Sequence, residues 1–177
     1  MKILVSVRTL FLFILMSLFH SSSCQEWIKT FSNTNDVFPF QLKESYDAGF
    51  IIAGDIGING YMKIGWIIKT DINGNILWEK KLGNGITLWC LKGIDVSYEG
   101  GLIVVGITDT LFSNETPFVL KLNSCGDIEW CHIYSSANID DNGLKIIHLI
   151  DNTFSFIHRI SSTPVNSVWL THIDQAG

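Results

Sequence analysis

The chain has 177 residues and a formal net charge of −5, with 47% hydrophobic residues. A mildly acidic balance without a basic cluster makes a poor nucleic-acid binder, and no nucleic-acid partner is expected. After Gln25 no apolar run approaches the ~20 residues needed to cross a bilayer as a helix, so no transmembrane span is expected.

In chain order, Lys2 and Arg8 precede the apolar run from Leu10 to Phe19, and small residues follow at Ser21-Ser22-Ser23-Cys24. A basic start, a short apolar stretch and small residues read as a secretory signal peptide. Cleavage is expected between Ser22 and Gln25, leaving residues 1–24 as signal and 25–177 as a secreted or surface-displayed chain. Loss of Lys2 and Arg8 takes the formal charge from −5 to −7. Cys24 offers a second, weaker reading as the lipidated first residue of a lipoprotein. Against it, Ser21 stands where such a motif has an aliphatic residue.

The remainder repeats itself. Gly49-Phe50-Ile51-Ile52-Ala53-Gly54 is answered 52 residues later by Gly101-Leu102-Ile103-Val104-Val105-Gly106. Likewise the stretch from Trp66 to Trp78 is answered by that from Phe118 to Trp130, and a third copy runs from Trp169 to Gly177 with one residue lost. Such a period marks stacked supersecondary units, each too small to bury its own apolar face. Within a unit, a weak first strand (38–43 and 90–95) turns at Asp47-Ala48-Gly49 or Glu99-Gly100-Gly101 into an apolar, β-branched strand closed by Gly54 or Gly106. A third strand begins at Trp66 or Phe118 and ends at a turn carrying Gly74 or Gly126. A fourth carries Trp78 or Trp130. Runs of this length bounded by Gly, Asn and Asp predict hairpins, and no stretch has helical spacing. Units of about 27–77, 78–129 and 130–177 follow.

Trp78 and Trp130 are expected to be largely buried, each filling the wedge between adjacent sheets. Four residues on from each tryptophan lies another apolar side chain: Phe31 after Trp27, Leu82 after Trp78, Tyr134 after Trp130. Trp27 thus belongs to the outer strand of a unit whose first three strands are not in the chain. The sequence stops at Asp174-Gln175-Ala176-Gly177, on the turn before another outer strand.

The pattern apolar-apolar-x-Gly, then Trp/Phe-apolar-apolar-Lys-x-Asp/Asn-x-x-Gly-x-apolar-x-Trp, resembles the bacterial secreted β-propeller repeat. It is also similar to the Trp-anchored repeat of propellers related to quinoprotein enzymes. The resemblance covers nearly all of 25–177 and implies all-β, four-stranded antiparallel blades. Such propellers commonly have five to eight blades, whereas three units stand here, the third diverged at Asn152-Thr153, His158 and Ser161-Ser162-Thr163-Pro164. Either the chain is a fragment of a longer propeller, the favoured reading, or copies associate through incomplete blade edges.

The candidate sites each have a plain structural alternative. Asp71-Ile72-Asn73-Gly74-Asn75 looks like part of a calcium loop, yet lacks a downstream bidentate glutamate, and a hairpin turn explains it better. His132, His148, His158 and His172 share no ligand spacing and read as surface or strand residues. Lys69 and Lys121 recur at one position, where a solvated strand face is favoured over a channel that meets an anion. Cys90, Cys125 and Cys131 leave one disulfide or free thiols equally open, and paired ligand spacing for zinc is lacking. The sequon Asn114-Glu115-Thr116 is weakened by Pro117. No cofactor and no catalytic constellation are expected. The reading is an exported, non-catalytic binding or scaffold module at the cell surface, with a protein or glycan as partner. The alternative is a fragment of a quinoprotein-like or hydrolase-like propeller enzyme whose active site lies elsewhere.

Overall fold

A computed structural model describes residues 28–59, 62–109, 115–134, 140–162 and 165–177. The expected signal peptide (1–24), with Cys24, and Trp27 and Asn114 therefore lie outside the described residues. Two compact units divide the chain, Met1–Thr30 and Phe31–Gly177. Of the first, Ile28, Lys29 and Thr30 are described; they are exposed and without regular structure.

The second unit is all-β among the described residues. Its strands are β1 (Val37–Glu44), β2 (Phe50–Asn59), β3 (Met62–Thr70), β4 (Ile76–Leu82), β5 (Leu88–Val96), β6 (Leu102–Asp109), β7 (Thr116–Leu122), β8 (Ile128–Ile133), β9 (Asp140–His148), β10 (Phe154–Ser162) and β11 (Val165–Ile173). They form three antiparallel sheets in chain order: β1-β2-β3-β4, β5-β6-β7-β8 and β9-β10-β11. The repeat is one sheet per copy, and cross-strand pairs recur in register. Ala53 pairs with Ile67, Val105 with Val119 and Ile157 with Leu170. The chain ordering is that of hairpins laid side by side, which keeps every strand next to its sequence neighbour.

The weak first strand has a physical cause. In all three sheets the pairing between first and second strands skips one residue, between Pro39 and Gln41, between Leu91 and Gly93, and between Gly143 and Lys145. A bulge of this kind breaks the period-two alternation by which strands are recognised. Pro39, which has no N–H to donate, is tolerated because β1 is bonded to a strand on one side only.

The first turn persists where its sequence does not. Ser45, Ser97 and Leu149 donate their N–H groups to the oxygens of Gly49, Gly101 and Thr153. The residue before that acceptor has positive φ in each case: Ala48 at 59°, Gly100 at 77° and Asn152 at 64°. Asparagine visits this region more easily than most side chains. The third copy thus keeps its turn although Asn152-Thr153 replaces the glycines.

Two apolar joints hold the sheets face to face. Between the first and second lie Ile51, Ala53, Ile67 and Leu82 against Leu91, Val104, Phe118 and Leu120. Between the second and third, Ile103, Val105 and Val119 meet Ile146, Phe154, Phe156 and Ile173. Each face alternates along its strand, so even-numbered residues of β6 look back and odd-numbered ones look forward. Leu82 and Tyr134 pack into the joint ahead of them, and Phe31 packs in the same way on Ile56, Trp66 and Ile68 of the first sheet.

Candidate functional site

The anchoring tryptophans pack against the joints between sheets, Trp78 on the first joint and Trp130 on the second. Trp78 and Trp130 are partly buried, each leaving a minor part of its surface exposed. Each reaches the following sheet and donates its indole N–H to a backbone oxygen in the turn after that sheet's third strand. Trp78 Nε1 lies 3.1 Å from Ser124 O, and Trp130 Nε1 lies 2.8 Å from Gln175 O. The ring must keep one edge at the surface to make this bond, which explains the exposure. Gly126 adopts φ 85°, and a Cβ there would stand 3.0 Å from the Trp78 ring. The turn glycine therefore serves both the backbone and the docked indole. Gly74 has the same positive φ, 76°.

The turn itself is closed by its first side chain. Asp71 Oδ1 accepts the N–H groups of Asn73 (2.9 Å) and Asn75 (2.8 Å), and Asn123 Oδ1 accepts those of Cys125 and Asp127, both at 2.9 Å. Asp174 Oδ1 accepts from Ala176 at 2.8 Å. The calcium-like spelling at Asp71 is thus an Asx turn used three times.

Glycine and aromatic positions form a second repeated device. Gly54 is paired across the sheet with Trp66, Gly106 with Phe118, and His158 with Trp169. A Cβ on Gly106 would approach Phe118 Cζ to 2.6 Å, so glycine lets the ring lie flat on the strand, fully buried and 4.7 Å from Trp89. In the third sheet the buried His158 occupies that space. Trp169 is displaced outward to 55% exposure, and the two rings meet edge-on at 6.0 Å.

The recurrent lysines correct the solvated-face reading. Lys69 and Lys121 are buried, with 6% and 7% exposure. Lys69 Nζ binds Asp47 Oδ2 at 2.5 Å and Ser45 Oγ at 2.9 Å. Lys121 instead reaches Glu129, 2.9 Å away on β8. Hydrogen bonding from Lys69 holds the Asp47 carboxyl below the usual aspartate range, although Asp47 itself is half exposed. Their aliphatic stems lie within the sheet joint, and each cation is neutralised at its rim.

One polar group sits in an apolar joint without a counterpart in the next copy. Asp55 is fully buried and points from β2 to β5, where it accepts Cys90 Sγ–H and Leu91 N–H, each at 2.8 Å. Its repeat equivalent is Ile107. Burial raises the Asp55 carboxyl, and burial with the neighbouring carboxylate pushes the Cys90 thiol up to about 12. A thiol held so firmly protonated is no nucleophile. The pair fastens the first sheet to the second, as do Gln41 Oε1 accepting Ile94 N–H at 3.1 Å, and the Lys43–Asp95 ion pair at 3.0 Å. Asp95 also accepts His148 N–H from the third sheet at 2.8 Å. Sequence reasoning missed Asp55; the signal available was a carboxylate breaking the match with Ile107.

Cys90, Cys125 and Cys131 are free thiols, the first buried and the other two exposed. The histidines are dispersed: His132 stacks on Trp130, His148 binds Asn152 Oδ1, His158 meets Thr171 Oγ1 and His172 meets Ser155 Oγ. Among the described residues no three metal-ligating side chains converge, and no helix is long and apolar enough to cross a membrane. Compared with protein-family models and with curated proteins, the chain matches none.

Proposed function

We propose that residues 25–177 are an exported repeat module of the β-propeller kind, each sheet a blade, acting as a non-catalytic binding or scaffold surface outside the cell. The blade reading is supported by three sheets in chain order, with first strands bonded to one another through Gln41, Asp95 and His148, and by the recurring indole-to-turn bond. The surface reading rests on one observation. At one end of the sheets the turns repeat with the same backbone bonds. At the other end the connections differ in every copy, as in Asn59-Gly60-Tyr61-Met62 beside Thr110-Leu111-Phe112-Ser113-Asn114. A fixed end built for folding and a varied end free to diverge is the arrangement by which loops on a rigid scaffold recognise partners.

Expression with the leader in a secreting host, followed by intact-mass measurement of the external fraction, tests the reading. The expected product begins between Ser22 and Gln25. A full-length chain retained in the cytoplasm would refute export. On a printed array of glycans and extracellular proteins, retention should vanish when 110–114 is replaced by Gly-Ser and persist when Ile72 becomes Ser. Absence of retention on every spot, or the reverse pattern, would refute the surface reading.

A further inference from the structure

Beside the first sheet lies a cavity of about 320 Å³ lined by Phe31, Val37, Pro39, Ile52, Gly54, Trp66 and Ile68. The repeat identifies what fits there. The matching residues of the second sheet, Val104, Phe118 and Leu120 with Trp89 and Leu91, are covered by Ala53 and Ile67 of the sheet before, with Leu82 alongside. In the third sheet Phe154 and Phe156 are covered by Val105 and Val119, with Tyr134 alongside. At the first sheet Phe31 takes the place of Leu82 and Tyr134, while the space for the cross-strand pair is open.

The missing pair exists elsewhere on the same molecule. Ile157 and Leu170 are cross-strand partners at the register of Ala53–Ile67 and Val105–Val119. Those four residues are at most 1% exposed, whereas Leu170 is 74% exposed and its row neighbour Val168 70%. One face therefore carries the plug and another the socket, on opposite sides of the three-sheet array. Two such surfaces on one chain join copies head to tail, closing into a ring of two or more copies or extending as a chain of copies.

We infer that the outward face of the third sheet, centred on Ile157 and Leu170, docks into the Trp66-lined cavity of a second copy of this chain. The joint repeats the two internal ones, burying the same cross-strand pair against the same face. It depends on the sheet joints alone, so its failure leaves the exported-surface reading standing, and failure of export leaves this joint standing.

Light scattering and native mass spectrometry on the purified protein test it. The wild type should show concentration-dependent masses at multiples of the monomer. Leu170→Lys, at an exposed site where folding is not at stake, should weaken association by at least roughly tenfold. Ile150→Lys, at a 92% exposed turn residue outside the face, should leave the masses unchanged. A wild type that stays monomeric at every soluble concentration overturns the inference, with or without a small apolar adduct filling the cavity. Equal loss of association in both variants overturns it as well, because general stickiness would then account for the masses.

Discussion

Replacing Trp78 by Phe and by Ala separates the two parts of the inter-sheet staple. An indole side chain buries about 200 Å² when fully enclosed. Roughly two thirds of that, at about 25 cal/mol per Å², gives about 3 kcal/mol for the partly buried ring. The bond from Nε1 to Ser124 O adds about 1 kcal/mol. Ser124 O lies at the surface, where water replaces the lost donor, so Trp78→Phe should cost at most about 1 kcal/mol. Trp78→Ala should cost about 3 kcal/mol, a figure in the range of other aromatic truncations. Urea denaturation of the purified variants, followed by far-ultraviolet circular dichroism, reads both values. Equal losses for Phe and Ala would mean that the hydrogen bond, not the packing, fastens the sheets. A loss under about 0.5 kcal/mol for Ala, the level of an ordinary surface change, would refute the staple altogether.

Four further variants probe the same joints. Asp55 has a carboxyl raised by burial, so its contribution is fully present below the ordinary value of 3.8 and is lost as pH rises through the higher folded value. Asp55→Asn should therefore abolish that decline: the stability difference between variant and wild type should shift toward the variant between pH 4 and neutrality, and a pH-independent difference would contradict the assignment. Lys69→Met should return the Asp47 carboxyl upward toward the usual range in a carbon-detected NMR titration, since the Lys69 ammonium is the main cause of its depression; an unmoved Asp47 would place the cause elsewhere. Gly106→Ala puts a Cβ 2.4 Å from Cys90 O and should destabilise by about 1–3 kcal/mol, whereas His158→Gly should let Trp169 sink and shift its emission to shorter wavelength. A neutral Gly106→Ala or an unshifted Trp169 would contradict the paired-position account.

The strands were legible in the sequence because their apolar runs and turn glycines repeat at a fixed interval, and a repeat reports on backbone pairing directly. The hairpins and the recurring positions of Phe31, Leu82 and Tyr134 follow from that interval, whereas unit limits placed at 78 and 130 fall inside β4 and β8, the last strands of the first and second sheets. Long-range partners are another matter. Lys69 looks solvated in a strand pattern, yet Ser45 and Asp47, more than twenty positions earlier, come back to it across the β1–β2 turn. The tryptophans were recognised as anchors, but an indole N–H seeking a carbonyl 46 residues away leaves no local trace. Asp55 and Cys90 were hidden for the opposite reason: they depart from the repeat, and a departure has no sister copy to explain it. The third copy was harder still, since His158 and Asn152 spell loss of the pattern while the backbone keeps its turn and register.

The central claim is that each tryptophan fastens its own sheet to the next. Nuclear Overhauser contacts from the indole N–H protons measure this directly. Contacts are expected from the Trp78 indole to Gly126, which lies against that ring, and from the Trp130 indole N–H to the backbone at Gln175, whose oxygen it reaches. Contacts from Trp78 to Gly74, within its own hairpin and with none to Gly126, would contradict it.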